Sequence, residues 1–292
     1  MNQAHVRITT LVENTAGGRG TLGEHGLAFW IETPAGCALF DTGQTAEVLV
    51  HNARRLGADL ARAEAVVLSH GHYDHTGGLA EVLRRTGDVR LRLHPAALAR
   101  RFSQSATGEV REVGMPAELD EAALTSLAGA ICWTERPAEV LPGLRVTGPI
   151  PRETDFEDTG GRFFLDAECR RPDPIEDDQA LFFAGEAGTV VLLGCAHAGV
   201  VNTLRYVRRL TGAAPIQAVI GGMHLLHASG HRLEQTLQAL EEFDVRQIAP
   251  GHCTGGPASA LLWGHFPERW RACTVGSRFT FACRKEDRDE LR

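Results

Sequence analysis

The chain has 292 residues, 43% of them hydrophobic and 23% charged, which is the balance of a soluble globular protein with a sizeable buried core. Thirty basic residues against 37 acidic ones give a formal net charge of −7. That argues against coating nucleic acid, because phosphate backbones are held by clustered positive charge, yet it leaves room for a small phosphorylated substrate. No apolar run is long enough for a bilayer, and Met1 to Gly20 lacks a secretory pattern, so the expected compartment is the cytoplasm and no membrane partner is expected. The seven cysteines are scattered singly with no CxxC pair, which points to reduced buried thiols rather than a disulfide framework or a zinc knuckle.

In chain order, Val6 to Val12, Leu27 to Thr33 and Cys37 to Phe40 read as strands separated by glycine- and proline-bearing turns. Thr45 to Leu56 predicts a helix, with Val48, Leu49, Ala53 and Leu56 at helical spacing. Ala65 to Leu68 is a short apolar run of the buried-strand kind, and Leu79 to Arg85 reads as the next helix. From Ser103 to Glu135 the text predicts one helix, Pro116 to Leu127, and no strong strand. Residues 149–178 are rich in Pro, Gly, Asp and Glu and read as a long surface excursion, the kind of loop that often serves as a lid.

Regular alternation then resumes. Strands are expected at Thr189 to Leu193, Ile216 to Ile220 and Val245 to Ala249, with helices at Val200 to Leu210, His231 to Phe243 and about Pro257 to Leu262. Strands followed by helices in each half of the chain suit an α/β fold of two sheets packed face to face with helices outside, a four-layer αββα sandwich. The expectation is one domain over residues 1–292, with irregular insertions near 103–135 and 149–178.

His70, His72, Asp74 and His75 put four possible ligands into six residues directly after a strand. Imidazole nitrogen with carboxylate oxygen suits zinc, and also manganese or iron. A polar turn capping a helix would explain one histidine there, but not three with an aspartate. One short loop cannot close two metal sites, so further ligands are sought elsewhere. His197, His224 and His252 each follow an apolar strand, where active sites of α/β layers gather. His197 and His252 are expected as ligands; His224 stays open between ligand, catalytic group and structural histidine.

This pattern, with Phe40-Asp41-Thr42-Gly43 before it and distant single histidines after it, resembles the metallo-β-lactamase superfamily. The resemblance implies that fold. It also implies His70, His72 and His197 as ligands of one metal and Asp74, His75 and His252 as ligands of a second, with Asp41 supporting them from outside. One or two divalent ions are implied: zinc, with manganese, iron or magnesium as alternatives. Glu24-His25-Gly26, Ile150-Pro151-Arg152, Asp177-Asp178-Gln179, Gly194-Cys195-Ala196-His197, Gly221-Gly222-Met223-His224 and His252-Cys253-Thr254-Gly255 narrow the likeness. They resemble the branch that holds the dihydropterin–ribofuranosylaminobenzene phosphate synthases of methanopterin biosynthesis. Most binuclear members carry a bridging aspartate after the strand that here is Ile216 to Ile220, and this chain has none nearby; two metal positions of unequal affinity are therefore expected.

The implied reaction is displacement of diphosphate from a dihydropterin by an arylamine phosphate. The alternative is metal-assisted hydrolysis of an ester, lactone, thioester or phosphoester. Either way the expected partner is a small anionic molecule; the oligomeric state is left open. Asp74 is the expected proton acceptor, His224 a donor to developing charge, and Arg152 and His25 substrate contacts. His94 reads as a strand end, and Asp178 as either a group supporting the site or part of an acidic loop. A flavodiiron-type redox module would need a flavin domain for which no chain is left over. A metal-less scaffold is at odds with the intact ligand set.

Overall fold

The computed structural model describes residues 4–284. Seven strands form the first sheet, in the order Arg278–Ala282, His5–Val12, Ala28–Thr33, Gly36–Phe40, Ala63–Val67, Arg90–Leu93, Ala130–Trp133. Six form the second, in the order Gln247–Gly251, Ile216–Gly222, Gly188–Leu193, Leu181–Gly185, Leu144–Val146, Ala138–Leu141. Each sheet is antiparallel on one side and parallel on the other. The two parallel regions place the site, because their strands end together.

Strand residues alternate between two apolar environments. In Ala28–Thr33, Phe29 and Ile31 face the second sheet, where they meet Leu181, Phe183, Val190 and Leu192. Ala28 and Trp30 face outward, against Leu49, Ala53, Leu79 and Val82 of the helices Ala46–Leu56 and Leu79–Thr86. A sheet covered on both faces reads as continuous apolar text, as Ala65 to Leu68 does. The outer face of the second sheet packs on helices Val200–Leu210, Gly230–Glu242 and Gly256–His265 through Leu204, Val207, Leu240 and Leu262. The layers are αββα, as expected. Among the described residues no helix is long and apolar enough to cross a membrane.

The middle of the chain departs from expectation. The helix expected from Pro116 begins only at Glu121, because the Asp120 carboxylate accepts from Ala123 N (2.8 Å) and fixes the start there. The stretch also carries strands that its text does not announce: Phe102–Gln104, Val110–Glu112 and Ala130–Trp133. Val110–Glu112 is exposed throughout, so no apolar alternation marks it. With Phe163–Phe164 from the long excursion, the first two make a three-stranded sheet beside the site.

Candidate metal centre

Every residue of the centre lies just past the end of a parallel strand, in a loop or, for Asp74, His75 and His252, in the single helical turns Tyr73–Thr76 and His252–Thr254. Asp41 follows Gly36–Phe40 and the His70–His75 loop follows Ala63–Val67, while His197, His224 and His252 follow Gly188–Leu193, Ile216–Gly222 and Gln247–Gly251. The His70–His75 segment is anchored before it reaches its last histidine. Asp41 accepts from Ser69 N (2.6 Å) and Ser69 Oγ (2.7 Å), and Asp177 Oδ2 accepts from Gly71 N (2.7 Å). Gly71 must be glycine, since a Cβ there would lie 2.1 Å from the Ala97 carbonyl oxygen.

Four imidazoles share one arrangement. Each has Nδ1 engaged by an oxygen outside the centre and Nε2 turned inward. The outer partners are Ser69 Oγ for His70 (2.9 Å), Asp41 Oδ2 for His75 (2.7 Å), Thr159 O for His197 (2.8 Å) and Asn14 Oδ1 for His252 (2.8 Å). Inside, His70 Nε2 lies 3.2 Å from His197 Nε2 and 2.9 Å from His72 Nδ1. His75 Nε2 lies 3.3 Å from His252 Nε2, and Asp74 Oδ2 is 3.3 Å from the latter. With the Nδ1–H of His70 and His197 given to Ser69 Oγ and Thr159 O, their Nε2 lone pairs face each other, an arrangement a cation resolves, and outer oxygens that fix ring orientation are its usual accompaniment. Nitrogen and carboxylate donors fit a divalent transition ion. The six expected ligands thus converge as two adjoining groups: His70, His72 and His197 in one, Asp74, His75 and His252 in the other.

Charge follows burial. Burial holds His70, His72 and His197 well below the ordinary histidine range, so their rings are neutral and free to donate a lone pair. Burial also depresses His75, but Asp41 and Asp74 outweigh it and raise the ring to about 9, so without metal it holds a proton that a bound cation would displace. Asp74 is pushed up by burial and pulled down harder by His75, His25 and His252, ending well below the carboxylate range. It is therefore held as an anion. Burial, helped by the Arg232 guanidinium, lowers His224 to about 3 and keeps it neutral.

The inward atoms open into a cavity of about 510 Å³, the size of a small-molecule site. His25 stands half-exposed on its wall, Nε2 3.2 Å from Asp74 Oδ2. His224 lines it too, its ring centroid 4.3 Å from that of His197. Arg152 is placed otherwise than expected. Its guanidinium donates to the carbonyls of His197 (2.7 Å) and Pro174 (2.5 Å), bracing the His197 loop and standing outside the cavity lining. His94 caps the short turn Pro95–Leu98 at a strand end. Asp178 is buried under the His197 loop, where it accepts from Ala198 N (2.7 Å).

Residues that no motif in the sequence announces complete the site. Arg111 and Arg162, from the three-stranded sheet and its neighbourhood, supply positive charge on the cavity wall. Phe163 packs on His72 and His197. Glu13 and Asn14, at the end of the first strand, hold the His252 backbone and ring. Their only signal in the sequence is a polar pair at a strand end, which is too common to single out.

A sequence model described as the Metallo-beta-lactamase superfamily matches residues 22–252. The chain is 29% identical to the 7,8-dihydropterin-6-methyl-4-(beta-D-ribofuranosyl)-aminobenzene-5'-phosphate synthase of Methanocaldococcus jannaschii, across 95% of this chain and 97% of that one. Among solved structures it resembles Tm1679, a metal-dependent hydrolase of the beta-lactamase superfamily, at 30% identity and a TM-score of 0.79, covering 95% and 99% of the two chains. Igni18, a metallo hydrolase of Ignicoccus hospitalis, shares the fold at 16% identity and a TM-score of 0.54, over 96% and 100% of the chains.

Proposed function

The chain belongs to the metallo-β-lactamase superfamily and is a metal-dependent enzyme of its hydrolase type, and from that premise we propose that it displaces diphosphate from a dihydropterin with an arylamine phosphate. The observation that carries this reading is the pairing of the converged donor set with Arg111 and Arg162 on one cavity wall. It is supported by the likeness to the synthase along almost the whole of both chains. His70, His72 and His197 would hold one divalent ion, and Asp74, His75 and His252 a second; we take zinc as the resident metal. Such ions supply Lewis acidity toward phosphoryl oxygens and lower the pKa of water.

The chain's own groups do the rest. Arg111 and Arg162 bind the phosphate ends of the substrates through charge-assisted hydrogen bonds. Asp74 stays ionised and offsets positive charge. His224, neutral at working pH, donates a hydrogen bond to the oxygen that gains charge as the carbon–oxygen bond to diphosphate breaks. The attacking arylamine gives up a proton as its bond to the methylene carbon forms, and His25, beside Asp74 and half-exposed, is positioned to pass that proton to water. Phe163 and the loop around Thr159 cover the His72 and His197 side of the centre.

A second reading, hydrolysis of a phosphoester or another ester, is favoured by the likeness to Tm1679. One assay separates the two. Metal-loaded protein is given a dihydropterin methyl diphosphate with and without the arylamine phosphate, and diphosphate and coupled product are followed by mass spectrometry. Diphosphate release that requires the arylamine supports displacement, whereas equal release without it, and no coupled product, rejects displacement for hydrolysis. Arg111→Ala and Arg162→Ala should each raise KM about tenfold, the equivalent of ~1.4 kcal/mol for one charge-assisted contact.

A further inference from the structure

The superfamily's usual bridging carboxylate has no counterpart after Ile216–Gly222, and the cavity's carboxylates are Asp74 and the exposed Glu109. What stands between the two donor groups is a thiol. Cys195 Sγ lies 3.2 Å from His75 Nε2. It is within 4.8 Å of the donor atoms of His70 and His75, of His197 and His224, and of His252 and Cys253. It therefore belongs to three of the five possible donor groups among the described residues and reaches members of both halves of the centre.

The surrounding chain is shaped to bring it there. Ala196 has a φ of 53°, a left-handed conformation between Cys195 and His197 that lets both side chains enter the centre. Gly194 admits the approach, since a Cβ there would lie 2.1 Å from Ser69 Oγ and 3.2 Å from Asp41 Oδ2. Gly222 does the same from the neighbouring strand, where a Cβ would lie 2.6 Å from Cys253 Sγ and 3.3 Å from Cys195 Cα.

We propose that Cys195 is a metal ligand of this centre, its thiolate supplying the negative charge between the two positions that an aspartate supplies in most binuclear relatives. On binding, the S–H bond breaks, the proton passes to solvent and the sulfur's electron pair goes to the ion. A thiolate is a softer donor than carboxylate, so the centre prefers zinc or cobalt over magnesium or manganese. Cys253, whose thiol faces the Cys195 carbonyl at 3.5 Å, is the neighbouring sulfur and the internal control.

The inference rests on the metal reading but not on the substrate. X-ray absorption of the zinc-loaded wild-type protein should show sulfur at about 2.3 Å among nitrogen and oxygen donors. The cobalt-loaded protein should show a thiolate-to-metal charge-transfer band in the near ultraviolet. Cys195→Ser should lose the band and Cys253→Ser should keep it. Zinc bound with no sulfur neighbour overturns this inference alone, as does a band that survives Cys195→Ser. A chain that takes up neither zinc nor cobalt overturns the metal reading beneath it. The wild-type measurement stands even if Cys195→Ser does not fold.

Discussion

Four non-glycine residues of the centre, Asp41, Ala196, His224 and His252, have φ between 47° and 60°, the left-handed region that costs roughly 1–2 kcal/mol per residue. Such backbone persists where surrounding contacts outweigh it, as the three bonds to Asp41 and the 2.7 Å bond from His252 N to Glu13 do. Asp178 carries a different cost. Burial raises its carboxyl to about 7, although the Ala198 N–H and the Arg152 charge work to lower it. Below about pH 4 the group is protonated in folded and unfolded chains alike. Between about 4 and 7 only the unfolded chain has released its proton, so stability falls as pH rises; above 7 the loss is constant. Asp178→Asn keeps an acceptor for Ala198 N–H and has no charge to bury. In urea unfolding of metal-free protein its stability relative to wild type should grow from about pH 4 to about pH 8. An advantage of the same size at both values would contradict the assignment.

At the scale of elements, the excursion over residues 149–178 is a cover fastened at several points. Glu157 accepts from Val201 N (2.9 Å) and Asn202 N (2.8 Å), amides of the first turn of Val200–Leu210 that have no partner within the helix. Asn202 Oδ1 accepts from Glu153 N and Thr154 N in return (both 3.0 Å), and Arg232 Nη1 donates to Asp158 Oδ1 (2.6 Å). Thr159 then presents its carbonyl to His197. The cover and the His197 ring are therefore mechanically linked. Glu157→Ala leaves two buried amides unpaired and should lower stability by about 1–3 kcal/mol. It should also speed hydrogen exchange across 154–162 while leaving the strands of the second sheet protected. Unchanged exchange in that stretch would mean that the cover is held by other contacts.

For the whole molecule, the centre joins the two sheets. His70, His72, Asp74 and His75 come from the first, His197 and His252 from the second, and neither group of three donors is complete without both. Binding metal there stabilises the packed sandwich against unfolding. A cation at about a hundred times its Kd contributes ~2.7 kcal/mol, which should raise the thermal midpoint by about 5–10 °C. Scanning calorimetry of chelator-treated protein, with and without added zinc, measures the shift. His72→Ala should reduce it, and a midpoint insensitive to zinc would remove the metal from the account of stability.

The sequence by itself determined the layers and singled out the histidines and aspartate that meet in the centre. Strands buried on both faces must be apolar throughout and helices apolar along one stripe, so Ala65 to Leu68 and Val200 to Leu210 announce themselves. Dense histidines after a strand likewise have few other uses. Only the tertiary structure decided what surrounds those ligands. Val110–Glu112 has no inward face to pattern, yet it carries Arg111 into the cavity wall. Asn14 and Glu13 are distant in sequence from His252, and only the meeting of the sheets brings them to it. Arg152 looked available for substrate but is taken by two backbone carbonyls that no local pattern reveals. Cys195 stands two residues before His197 and reads as one more buried thiol until the left-handed turn at Ala196 brings it into the centre. Periodicity is a local property that the chain displays along its length, whereas hydrogen-bond partners and close approaches depend on residues that only folding makes neighbours.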